Sequence, residues 1–156
     1  MADLTGADIE NINEVWSKIY ANPEESGRTV VISLFLTYPQ TKIYFKNLKN
    51  ISTLQEMQDN AGIRAHGKRV MGALNHVIEN LKDWDAVCSA LSHLAKRHQD
   101  VHKVEVNNFE LLFLVIISVF KEALGSGFTP EQSKSWEKLF SITYKYLESC
   151  YANTDS

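Results

Sequence analysis

Apolar residues recur three or four positions apart along almost the whole chain, and this spacing restricts the fold more than any other feature of the sequence. A period near 3.6 places such residues on one face of an α-helix, whereas a half-buried strand alternates strictly. Only three prolines and seven glycines interrupt the pattern in 156 residues. The sequence therefore predicts an all-α fold.

Turn and cap residues divide this pattern into helices. Thr5 is a plausible cap for a first helix that closes at Asn22-Pro23, and a second helix then runs from Pro23 to Pro39. Gly27 lies on the inward stripe of the second helix and permits close approach by another backbone, with a weak point in the helix as the alternative. The remaining predicted segments are one brief helix before Asn60, helices at about Ala61–Leu81, Trp84–Gln99 and Phe109–Leu124, and a last helix from Pro130.

Two of these segments carry particular signals. The stretch FELLFLVIISVFKEAL, residues 109–124, is apolar on nearly every side, and its length favours a helix over a strand. Such a helix is expected in the middle of the molecule. Before the last helix, Thr129 and Gln132 form a predicted capping box around Pro130, which suits the first helical turn.

Length, charge and cysteine content exclude several classes of protein. The 156 residues, 44% of them hydrophobic, predict a single globular domain over residues 1–156. A net charge of −3 argues against nucleic-acid binding, and the longest apolar run is too short to span a bilayer. The N-terminus has no visible secretory signal, so we expect a cytoplasmic protein whose two cysteines, Cys88 and Cys150, are reduced.

Two histidines lie on otherwise apolar helix stripes. His66 is flanked by Ile63 and Val70, and His98 closes the stripe of the following helix, 32 residues later. An imidazole in such a stripe needs a partner, and a haem iron between the two rings would supply it. Hydrogen-bonded core histidines are the alternative. The five histidines and two cysteines show no zinc-ligand cluster, and we predict no catalytic residue.

The order of these parts resembles the globin family from Trp16 to Tyr151. The resemblance rests on features that occur together in order: Trp16 in VWSKIY, Gly27, Pro39 six residues before Phe45, His66 in RAHGKRV, and His98 eleven residues before Phe109. It implies about eight helices packed around a haem pocket.

The resemblance also assigns roles to individual residues. His98 would be the proximal haem ligand, with its other ring nitrogen directed to a carbonyl near Leu94. His66 would lie on the distal side, where it donates a hydrogen bond to a bound gas or binds the iron itself. The other implied cofactor contacts are Phe45 and Val70 as walls, Leu94 and Phe109 beneath the haem, Val104 at its edge, and Arg69 and His102 at the propionates.

Within the globins, four segments are most similar to vertebrate cytoglobin and its relative globin Y. They are YANPEESG, KIYFKNLKN, HGKRVMGALNHVIENL and HKVEVNNF. Globin Y is favoured, because Pro23 and Lys68 occupy positions where cytoglobins typically carry the cysteines of a disulfide. Val31 stands at a pocket position that is more often leucine, and Leu48 at one that is usually phenylalanine.

The implied function is reversible binding of oxygen, with carbon monoxide or nitric oxide as further ligands, for oxygen storage, transport or sensing. The alternative is a haem redox enzyme, such as a nitric oxide dioxygenase that depends on an external reductase. A third interpretation is a helical interaction protein with structural histidines. We expect a monomer or a weak homo-oligomer with no nucleic-acid partner.

Overall fold

The computed structural model describes residues 4–45, 51–100 and 103–154, and most of them are helical. The α-helices in chain order are α1 (Gly6–Ile19), α2 (Pro23–Thr37), α3 (Leu54–Asp59), α4 (Ala61–Glu79), α5 (Trp84–Asp100), α6 (Asn107–Leu124) and α7 (Pro130–Thr154). Short 3₁₀ helices occupy Pro39–Tyr44 and Gly125–Gly127. These ranges contain no strand, so the all-α prediction is confirmed.

Reciprocal side-chain bonds set the starts of α1 and α7. The Thr5 hydroxyl accepts from the Asp8 amide, and the Asp8 carboxylate accepts from the Thr5 amide. The same pair of bonds joins Thr129 and Gln132 ahead of α7. Both predicted starts are confirmed, because each cap satisfies amides that have no partner within the helix.

Two other boundaries differ from the prediction by two residues. Helix α4 ends at Glu79 rather than Leu81, and the Asn80 side chain there donates to the carbonyl of His76 at 2.8 Å. Leu81 remains buried although it follows the helix. Helix α6 begins at Asn107, two residues before the apolar run, since polar residues also complete its first turn.

Helices α2 and α4 cross at two glycines. A Cβ placed on Gly67 would lie 2.5 Å from the carbonyl carbon of Gly27 and 2.8 Å from the amide nitrogen of Arg28. The two backbones therefore touch, and the close approach predicted at Gly27 is confirmed. This contact fixes α4 at the residue directly after His66.

The main core is built around α1, α6 and α7. The Trp136 side chain is fully buried, and its ring centroid lies 6.0 Å from that of Trp16 and 4.8 Å from that of Phe120. Helix α6 packs against α2 and α7. Most of its apolar residues are buried or half-buried, as expected of a central helix, but Leu114 is 51% exposed, so one side of α6 faces outward. An apolar sequence does not by itself reveal which side of a helix faces outward.

A second apolar cluster joins α2, α3 and α4. It consists of the buried residues Val31, Ile32, Phe35, Met57 and Ile63, with Phe45 and Ile51 packed against them. Through Phe45, this cluster contacts the ring of His66.

None of the helices in the described residues has both the length and the apolar character needed to span a membrane.

Asp8 fastens the start of α1 to α7. Its carboxylate accepts from Lys138 Nζ at 2.7 Å and from Ser135 Oγ at 2.8 Å, in addition to the cap bond from Thr5. The Lys138 bond, followed by the Thr5 amide, holds the pKa of Asp8 well below its usual value of 3.8. A carboxyl whose pKa is depressed by folding stabilises the fold above its unfolded pKa, and this contribution fades as the pH falls.

We expect Asp8→Asn to lower the free energy of unfolding by about 1 kcal/mol at pH 7, since the partly exposed ion pair is screened by solvent. The difference from wild type should shrink as the pH falls below about 4, where the unfolded carboxyl takes up its proton. Urea unfolding at a series of pH values measures it. A difference that stays constant down to pH 3 would contradict this assignment.

Candidate functional site

His66 projects from α4 against an aromatic ring. The centroid of the His66 imidazole lies 4.8 Å from that of the Phe45 ring, and the two ring planes meet edge-on at 73°. Phe45 directly follows the 3₁₀ helix Pro39–Tyr44, and its ring also contacts Phe35 of α2 at 5.1 Å. His66 is therefore a half-buried imidazole beside the second apolar cluster.

His98 is held in one orientation near the end of α5. Its Nδ1 lies 2.9 Å from the carbonyl oxygen of Leu94, one helical turn earlier. A carbonyl only accepts, so Nδ1 donates this bond and carries a proton. In the neutral tautomer that such a bond favours, Nε2 is the nitrogen that can bind a metal. The ring of Phe109, from the first turn of α6, lies 5.2 Å from the imidazole. The contact implied near Leu94 is thus present.

The backbone after His98 is tied to the last helix. The Val104 amide donates to the carbonyl of His98 at 2.9 Å, and the Tyr151 hydroxyl donates to the carbonyl of Val104 at 2.8 Å. Burial, and then the nearby Tyr44, raise the pKa of Tyr151 to about 12, so this phenol stays a protonated donor at neutral pH. Tyr151 therefore supports the segment that carries His98.

A polar contact joins the His66 side to the His98 side. The Asn108 side chain donates to the hydroxyl of Tyr44 at 3.2 Å. Sequence reasoning missed both residues, because polar positions outside a stripe give no periodic signal. A capping motif or a known pairing of the two segments would have been needed to find them.

The other predicted site residues fall into three groups. Phe109 is buried. Val70, Leu94 and Val104 are half-buried, and each lies within six residues of His66 or His98 in the sequence. Arg69 is exposed, as a residue meeting a charged, solvent-facing group would be. His102 lies outside the described residues, and so does Leu48.

The two cysteines are free and half-buried, and they flank a contact between α5 and α7. There Ser92 Oγ lies 2.7 Å from the Tyr146 hydroxyl and 3.7 Å from Cys150 Sγ. In the described part of the chain, no group of three or more histidine, cysteine or acidic side chains could hold a metal ion by itself.

Comparison with known proteins matches most of the chain. A model of the globin family matches residues 29–147. Cytoglobin-2 of Danio rerio is 36% identical over 148 residues, which are 95% of this chain and 83% of that protein. The hemoglobin larval subunit beta-1 of Xenopus laevis is 35% identical over 138 residues, which are 88% of this chain and 90% of that subunit. The matched range contains both His66 and His98.

Proposed function

Because the chain belongs to the globin family, we propose that it holds a haem between His98 and His66 and binds oxygen reversibly on the His66 side. The family brings haem as the cofactor and oxygen as the ligand. The placement of the haem in this chain and the roles of its side chains are our inference.

The observation that carries the placement is the 2.9 Å contact between His98 Nδ1 and the Leu94 carbonyl oxygen. Metal-binding histidines usually donate the other ring nitrogen to a carbonyl or carboxylate, which fixes the tautomer and makes the ligating nitrogen more basic. A proximal histidine of this kind is what globins use to hold haem. The residues present therefore fit the cofactor.

When bound, the haem iron supplies the coordination position at which a diatomic gas attaches and leaves. His98 would hold the group from the α5 side, and Leu94 and Phe109, which contact His98, would pack beneath it. Phe45 and Val70 would form the opposite wall and limit the access of water. Val104 would close the edge, and Arg69 and His102 would meet the propionates, for which the exposed position of Arg69 is suitable.

His66 would have two roles on its side of the haem. Its imidazole would be able to donate a hydrogen bond to a gas ligand, and we propose that it would also serve as an iron ligand that oxygen, carbon monoxide or nitric oxide could displace. The position of the half-buried ring edge-on against Phe45 supports this, since Phe45 is the residue proposed to form the same wall.

Within the family, we propose a globin Y-type protein rather than a cytoglobin. Pro23 is the first residue of α2, and the Lys68 ammonium lies 3.6 Å from the carboxylate of Glu24 at the surface. Neither position can form the disulfide expected of cytoglobins. A cytoplasmic location and a monomeric or weakly associating state remain predictions.

The absorption spectrum of the deoxygenated ferrous protein tests the role of His66. We expect split, sharp visible bands from two histidine ligands in the wild type, and one broad band in His66→Ala. Oxygen should dissociate about tenfold faster from the variant, which corresponds to the loss of about one hydrogen bond. Stopped-flow displacement of oxygen by carbon monoxide measures this rate.

His76→Ala is the matched control, because His76 is an exposed histidine on the same helix. It should leave the spectrum and the dissociation rate unchanged. A single broad band in the wild type would remove the sixth-ligand role, and an unchanged oxygen dissociation rate in His66→Ala would remove the hydrogen-bond role.

A further inference from the structure

We propose that the hydrogen bond between Tyr44 and Asn108 is a clasp that positions the two aromatic walls of the haem site and slows release of the cofactor. This inference rests on the proposed placement of haem between His66 and His98. It assigns a positioning role to two residues that directly precede the aromatic walls in the sequence.

The side-chain amide of Asn108 makes a second hydrogen bond besides the one to Tyr44. Its Nδ2 donates to the carbonyl oxygen of Glu105 at 2.9 Å and to the Tyr44 hydroxyl at 3.2 Å. An amide nitrogen carries two protons, so both bonds can form together. The Glu105 bond holds Asn108 to the turn that begins α6, and the second proton is presented to Tyr44.

The positions of the two residues in the chain give the bond its effect. Tyr44 directly precedes Phe45, whose ring packs edge-on against His66 at 4.8 Å. Asn108 directly precedes Phe109, whose ring lies 5.2 Å from His98. One contact across 64 residues thus connects the neighbours of both walls. Separation of the two walls at this edge would therefore strain or break the bond.

The clasp also adjoins the bonds that hold the backbone of His98. Tyr44 lies close enough to Tyr151 to contribute to the raised pKa of that phenol. The Tyr151 hydroxyl binds the Val104 carbonyl, and the Val104 amide binds the His98 carbonyl. Opening the clasp would therefore loosen the edge where the 3₁₀ helix, α6 and the end of α7 meet.

The strength of the Tyr44–Asn108 hydrogen bond suits a contact that opens locally while the protein stays folded. Tyr44 and Asn108 are both half-buried, and a neutral hydrogen bond in such a place changes an equilibrium by roughly two- to tenfold. A bond of this strength opens often compared with global unfolding, so its loss should appear in the rate at which haem escapes.

Tyr44→Phe is the direct test, because it keeps the ring and removes only the hydroxyl. The ferric holoprotein should transfer haem to an excess of a haem-scavenging apoprotein roughly two- to tenfold faster than wild type. Because the bond is present without the cofactor, the free energy of unfolding of the variant apoprotein should fall by about 1 kcal/mol at most, the loss of one hydrogen bond. A bond with a merely structural role would produce that loss of stability and leave haem loss unchanged.

Two further variants complete the experiment. Tyr20→Phe removes a hydroxyl from a tyrosine that stacks on Trp16 at 5.2 Å, in the other part of the core, and should release haem at the wild-type rate. Asn108→Ala should also speed haem loss, and adding Tyr44→Phe to it should produce no further acceleration.

Each other outcome overturns the clasp. A wild-type rate in Tyr44→Phe, an equal acceleration in Tyr20→Phe, or multiplicative effects of the Tyr44 and Asn108 substitutions would each do so. Failure of the wild-type protein to take up haem would overturn the haem placement and the clasp together. A normal holoprotein with an inert Tyr44→Phe substitution removes the clasp alone.

Discussion

Replacing His98 by alanine is expected to abolish stable haem binding. The substitution removes the ring whose Nδ1 is anchored to the Leu94 carbonyl, and with it the proposed bond to iron. Loss of a group that only hydrogen-bonds to a metal ligand typically weakens metal binding by about 10- to 100-fold, so loss of the ligand itself should accelerate haem release by more than about 100-fold. The variant purified after expression with added haem should show little Soret absorbance.

His93→Ala is the matched control for this experiment, since His93 is an exposed histidine on the same helix. It should retain haem at the wild-type level. Circular dichroism of the apoproteins should give similar helix content for both variants and the wild type, which separates loss of the ligand from loss of the fold.

Free imidazole offers a second readout on His98→Gly. The deleted ring leaves space beside Phe109, and millimolar imidazole should restore part of the Soret band by taking the place of the side chain. Haem retention in His98→Ala equal to that of wild type, together with haem loss in His66→Ala, would reverse the proposed roles of the two histidines.

Helical periodicity was enough to predict the main helices and the two histidine stripes. Since residues three or four apart share a helix face, Ile63, His66 and Val70 could be placed together without a structure. The same rule could not show that Leu114 lies on an exposed side of α6. A helix that is apolar on nearly every side has the same sequence pattern whether it is fully buried or has one face exposed to solvent.

The partners of these stripes depend on tertiary structure. Nothing in the residues around Gly27 identifies Gly67 as the backbone it touches, 40 positions later in the sequence. Phe45 and Phe109 entered the candidate site through the resemblance to globins rather than through their spacing. The structure places their ring centroids 4.8 Å from that of His66 and 5.2 Å from that of His98, respectively.

Polar supports of the site were the least predictable part. Tyr151 and Val104 are 47 residues apart, and Tyr44 and Asn108 are 64 apart. A hydrogen bond over such separations depends on how whole helices pack, which local propensity and capping rules do not specify. The caps at Thr5 and Thr129 were predictable because both partners lie within four residues.

Substituting Gly67 by alanine is expected to destabilise the protein strongly, because its backbone touches that of Gly27. The new Cβ would lie 2.5 Å from the carbonyl carbon of Gly27 and 2.7 Å from its oxygen, and a backbone cannot move aside as a flexible side chain does. Helices α2 and α4 would have to separate, at a cost of about 3 kcal/mol or more. Urea unfolding of the apoprotein measures this change.

Gly72→Ala is the matched control, because Gly72 lies on the same helix and an added Cβ there would meet nothing within 4 Å. It should stabilise the protein by about 0.5–1 kcal/mol through the higher helix propensity of alanine. Since Gly67 directly follows His66, Gly67→Ala should also shift the Soret maximum of any holoprotein that forms, whereas Gly72→Ala should not. Equal unfolding free energies for the two variants would mean that the contact between α2 and α4 does not set the position of His66.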